Sequence, residues 1–106
     1  MAFRSAGEMV KAISSFAFLT GNRISRTGSK SKDSDMEIHV LVSWLQRAAP
    51  QIDHEARAEF QELTEYAQEI MEAYTSAAPD GKIKLYAVAD QLTGLSDRLD
   101  AIAHIV

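Results

Sequence analysis

The sequence contains no cysteine and only two prolines, Pro50 and Pro79. Without thiols there is no disulfide framework, no cysteine nucleophile and no thiolate zinc site. Aromatic residues are few, at 8% of 106 positions, with Trp44 the single tryptophan. Long apolar runs are also missing. The longest charge-free stretch, Ala12 to Asn22, is too short and too serine-rich to span a bilayer. A Gly-rich phosphate loop is absent, because Gly21 and Gly28 lack the preceding strand and following helix that such a loop needs. No nucleophile elbow surrounds any serine. The Glu-x-x-His pair that builds carboxylate-bridged metal sites in helical bundles does not occur. His39, His54 and His104 fall on separate segments, and Asp100 and His104, four apart, read as a local pair near a helix C-terminus. These absences point away from an enzyme and imply no metal or other cofactor.

What is present fits one small domain: 46% hydrophobic and 25% charged residues, enough for a core with little to spare. The formal charge of −4 hides a division. Residues 1–33 carry six bases (Arg4, Lys11, Arg23, Arg26, Lys30 and Lys32) against Glu8 and Asp33. Residues 34–106 carry five bases against thirteen acids. We therefore divide the chain into an N-terminal helix with a basic Ser/Gly linker, residues 1–33, and an acidic helical body, residues 34–106. The N-terminal segment shares its arginine and serine content with organellar transit peptides. We read it as part of the mature chain and assign the protein to the cytoplasm.

At 100° per residue, Ala6, Met9, Val10, Ile13, Phe16 and Ala17 share one arc, with Arg4, Glu8, Lys11 and Ser15 opposite. This predicts an amphipathic helix over 3–20 that stops at Gly21-Asn22. Phe18 and Leu19 fall outside the stripe and are expected on the surface. Asn22 to Lys32, rich in Ser, Gly, Thr and base, reads as a mobile linker.

Ser34 and Glu37 have capping-box spacing. Ile38 to Leu45 is β-branched enough for a strand, and the cap together with the Gln46-Arg47-Ala48-Ala49 continuation favours a helix. Its stripe is Ile38, Leu41, Val42 and Leu45, with Val40 and Trp44 on an adjoining flank. From Gln51 to Ala77, the residues Ile52, Ala56, Phe60, Leu63, Ala67, Ile70 and Tyr74 form a heptad-like seam. Pro79-Asp80-Gly81 is a turn. The last helix, from Lys82 onward, presents Leu85, Val88, Leu92, Leu95, Leu99 and Ile102, and Gly94 marks a kink or a close helix contact. The expected fold is all-α: an antiparallel three-helix bundle with an additional N-terminal amphipathic helix on a basic linker.

One helix face is unusual. Glu55, Glu59, Glu62, Glu65, Glu69 and Glu72 fall on an arc of about 140° beside the seam, without the bases that normally alternate on a solvated face. Bulk counterions, the chain's own basic arm (in cis or across a homo-oligomer) or a basic surface on another protein would each balance it. We take the six glutamates, with Phe16, Phe18, Val40 and Trp44, as candidate partner-binding residues. The expected function is that of a non-catalytic protein–protein interaction module: a small adaptor, regulator or inhibitor. Two alternatives stand beside it. The row could act as an acidic decoy that inhibits a nucleic-acid-binding protein, although its charge is sparser than the one per ~1.7 Å of duplex DNA. Residues 1–20 could instead anchor a peripheral component on a membrane surface. Direct nucleic-acid binding is disfavoured by a pI of about 5.3 and an arm without aromatics for stacking.

Overall fold

The computed structural model describes residues 5–106. They are all-α, with four helices and no strand among the described residues. Helix α1 spans Ala6–Thr27, α2 Lys32–Ala48, α3 His54–Ser76 and α4 Lys82–Ala103, with a single 3-10 turn at Ala49–Gln51. Pro50 sits in that turn, where its missing N–H costs nothing.

Each boundary has a local cause. Ser5 caps α1, its hydroxyl accepting from Glu8 N at 3.1 Å. The helix does not stop at Gly21-Asn22; it continues to Thr27 and closes on Gly28, whose φ of 59° is the left-handed cap that glycine adopts without penalty. The Gly28 N–H donates to Ile24 O at 2.8 Å. The stretch expected to be a mobile linker is therefore helical over residues 22–27, and only Gly28 to Ser31 join α1 to α2. The cap of α2 also differs from expectation. Ser31 and Ser34 form the reciprocal pair, one turn before the predicted Ser34–Glu37 box. Tyr74 Oη of α3 reaches into this turn, 2.6 Å from Ser34 Oγ, and donates to Ser31 O at 3.3 Å. Lys30 stands over the Tyr74 ring and donates to Thr75 O, a C-terminal carbonyl of α3.

One hydrophobic core draws on all four helices. The α3 seam is buried as its spacing predicts, with Phe60 and Leu63 fully excluded from water, and so is every apolar residue of the α4 stripe. Ile52 is buried from the loop before α3, since that helix begins at His54. Helix α1 is part of this core through Met9, Val10, Ile13, Ala17 and Ile24.

The most extensive helix pair is α1 with α4. On α1, Gly7, Ser14 and Gly21 recur every seven residues; on α4, Ala89, Ser96 and Ala103 do the same. The two sets meet in antiparallel register. A Cβ on Gly7 would lie 3.0 Å from Ala103 O, Ser14 Oγ donates to Ser96 O at 2.8 Å, and a Cβ on Gly21 would lie 3.1 Å from Ala89 O. Small side chains let the backbones approach, and each buried serine finds its partner in the other helix, Ser14 Oγ and Ser96 Oγ being 2.9 Å apart. Gly94 has no such role. Nothing lies within 4 Å of where its Cβ would be, so it marks no close helix contact, and α4 continues through it from Lys82 to Ala103.

Candidate functional site

Two surfaces remain after the core is accounted for. The first is the outer face of α3. Glu55, Glu59, Glu62, Glu65, Glu69 and Glu72 are all exposed. Eighteen helical positions at 1.5 Å rise spread the six carboxylates over about 26 Å. Among the described residues, Glu62 alone of the six has a basic partner, Arg98 of α4 at 3.8 Å, and both side chains are well solvated. Such a pair is worth at most about 1 kcal/mol.

Three bases of residues 5–33, Lys11, Arg23 and Lys30, are engaged elsewhere. Arg23 pairs with Glu37 at 3.1 Å and with Asp33 at 3.8 Å, tying α1 to the start of α2. Lys11 pairs with Asp100 of α4 at 3.3 Å. Lys30 donates to one carbonyl, Thr75 O, at the C-terminal end of α3 and pairs with no glutamate of the row. No ion pair among residues 5–33 reaches the acidic face. Helices α1 and α3 each pack chiefly on α2 and α4, which puts their outer faces on opposite sides of the molecule.

Asp100 and His104, read from sequence as a local pair, make no ion pair with each other; the partner of Asp100 is Lys11 across the helix interface. The Asp100 carboxyl lies below its ordinary value. The neighbouring Ser14 hydroxyl is the first cause, partial burial works against it, and the Lys11 ammonium and His104 add to the lowering. Among the described residues no three of His, Asp and Glu gather where a metal ion could be held. Nor is any helix among them long and apolar enough to cross a membrane.

Comparison with protein-family models, curated proteins and solved structures finds no match to this chain.

The second surface is a groove of about 860 Å3 between α1 and α2. The two helices are clamped at one end by Arg23 with Glu37 and bridged further along by Phe16 and Trp44, whose ring centroids are 4.9 Å apart at 49°. Beyond the rings the gap is floored by Met9, Ile13 and Ala48, and Leu19 forms an edge. Phe16 and Trp44, expected as partner-facing side chains, are half-buried against each other and the core, so they act as walls rather than projections. Val40, on the same flank of α2, is half-buried and lies outside the groove lining. Phe18 and Leu19 are exposed as expected, at 44% and 62%, on either side of the solvent-facing line of α1.

From the sequence the six glutamates fall on one helix face, and Phe16 and Trp44 are named on separate helices without being paired. The contribution of Met9, Ile13, Arg47 and Ala48 to one groove is missed there, because their meeting depends on the angle between α1 and α2. The close α1–α4 contact did leave a signal in the seven-residue recurrence of Gly7, Ser14 and Gly21.

Proposed function

We propose that this protein acts without catalysis, by binding another protein through the outer face of α3. The single observation that carries this reading is the carboxylate row: six exposed glutamates with one weak basic partner among the described residues, while Lys11 and Arg23 of the N-terminal helix are paired with other acids. Like charges at neighbouring helix positions cost roughly 0.2–0.5 kcal/mol per pair. A basic surface laid along the row converts that repulsion into attraction, which favours fast, salt-sensitive association. The arrangement of helices suits such a role. We read them as one antiparallel bundle in which α1 completes the core left by α2, α3 and α4, holding α3 as a rigid rod. Phe18 and Leu19, on the far side, form a smaller second contact region.

The test is capture of partners on the immobilised full-length chain, eluted in salt steps, beside a variant carrying Glu59→Gln, Glu62→Gln and Glu69→Gln. The reading expects a protein released at moderate salt by the native chain and not retained by the variant. A partner retained equally by both, or one lost instead on changing Phe18 and Leu19 to serine, overturns it.

A further inference from the structure

The groove between α1 and α2 has features that the acidic face does not explain. Its lining is mainly apolar and aromatic, with Ser5, Ser15 and Gln51 as its neutral polar members; its volume of about 860 Å3 lies in the range of small-molecule sites, and among the described residues Arg47 is its one charged side chain. Arg47 is exposed, and no carboxylate of residues 5–106 lies within ion-pair distance of it. From Ser5 to Phe16, whose ring meets Trp44 across the gap, the α1 wall runs about 16 Å at 1.5 Å per residue. An occupant must therefore be long, apolar along most of its length, and anionic at one point.

Two classes of molecule meet that description, an acidic amphipathic helix and a fatty carboxylate. A helix needs 8–10 Å between its axis and each neighbour. The Phe16 and Trp44 rings, in contact across the gap, would have to separate to admit one. A single alkyl chain is narrower than a helix and does not require the two rings to part. We propose that this groove binds a free long-chain carboxylate, its tail along the α1–α2 seam and its head on the Arg47 guanidinium. The site is independent of the α3 face: none of the six glutamates lines it.

Trp44 is the only tryptophan and forms a wall of the groove, so its emission reports occupancy directly. The full chain is titrated with octanoate, decanoate and dodecanoate below the concentrations at which they form micelles, and with dodecanol. Saturable changes in Trp44 emission are expected, with affinity rising about fourfold for each methylene buried. Dodecanoate should bind about fivefold more tightly than dodecanol, and Arg47→Gln should erase that difference while leaving dodecanol binding unchanged. Ala12→Phe, at a half-buried position on the groove wall, should block both ligands. Circular dichroism of each variant establishes that it is folded. No saturable change, an affinity indifferent to chain length, or equal binding of acid and alcohol overturns the proposal. So does binding that survives Ala12→Phe in the folded variant. If dodecanoate fails while a helical Leu/Ala peptide bearing one aspartate shifts Trp44 emission, the groove is a helix seat and the proposal is wrong.

Discussion

Gly21 and Gly94 are both interior helical glycines with ordinary negative φ, and the structure gives them opposite roles. At position 94 an added Cβ meets nothing within 4 Å. Gly94→Ala therefore gains the helix propensity of alanine, about 0.8–1 kcal/mol, with no steric cost. For a domain of this size that corresponds to a rise in Tm of about 4 °C. At position 21 the Cβ would lie 3.1 Å from Ala89 O and 3.2 Å from Leu92 Cβ, and the first of these is backbone. Alanine there requires α1 and α4 to part by a few tenths of an ångström, which offsets much of the same propensity gain. Valine adds two methyl groups to that contact and brings the cost of overpacking, about 1–3 kcal/mol. The clean comparison is Gly21→Val with Gly94→Val, since the change in intrinsic propensity is the same at both positions and cancels. Urea unfolding monitored by circular dichroism should show Gly21→Val less stable than Gly94→Val by about 1–3 kcal/mol, at unchanged m-value. Equal stability of the two, within about 0.5 kcal/mol, would refute close α1–α4 packing and with it the register of Gly7, Ser14 and Gly21 on Ala103, Ser96 and Ala89.

Three further outcomes are expected. Tyr74→Phe removes the hydroxyl 2.6 Å from Ser34 Oγ and should cost about 1–2 kcal/mol, with faster amide exchange at Ser31 to Ser34 than in the native chain; unchanged exchange there would contradict the pinning of the α1–α2 turn by α3. Asp100, whose folded pKa is lowered, contributes stability that is present above its unfolded value near 3.9 and is lost as pH falls through the folded value. Because its side chain is 39% exposed and solvent screens the pair, the loss should be only about half a kcal/mol, seen as a smaller acid-induced drop in urea midpoint for Asp100→Asn than for the native chain between pH 6 and pH 2.5. Replacing Glu65 and Glu69 together with glutamine should stabilise the fold at low ionic strength, by roughly 0.2–0.5 kcal/mol for each like-charged pair relieved, read as a higher urea midpoint. The gain should vanish in molar salt, where the Debye length is about 3 Å; a salt-independent effect would mean that the row carries no repulsion.

The parts of the fold that were legible in the sequence are those built from large apolar side chains. The α3 seam and the α4 stripe are buried residue for residue, because a heptad spacing of Leu, Ile and Phe has one helical solution and one face to bury. The end of α1 was not legible for the converse reason. Its surface toward α4 is made of Gly7, Ser14 and Gly21, which contribute contact by being small and carry no hydropathy signal. The single apolar residue beyond Gly21, Ile24, is fully buried but stands among Ser, Arg and Thr that look like a linker. The acidic row was readable because exposed charges report their own helix face. The groove was not, since Arg47, Met9 and Trp44 come together only through the relative placement of α1 and α2. Gly21 reads as a helix stop and Gly94 as a kink or close helix contact, and only the neighbouring atoms show that the close contact belongs to Gly21.

In the proposed function α3 is an electrostatic binding face. The measurement that tests it most directly is the dissociation constant of a captured partner across a series of salt concentrations, for the native chain and the Glu59→Gln, Glu62→Gln, Glu69→Gln variant. The expected result is an affinity that falls steadily with salt for the native chain, a weaker affinity and a shallower slope for the variant, and convergence of the two at high salt. Superimposable curves would contradict it and leave the glutamates as a solvated surface.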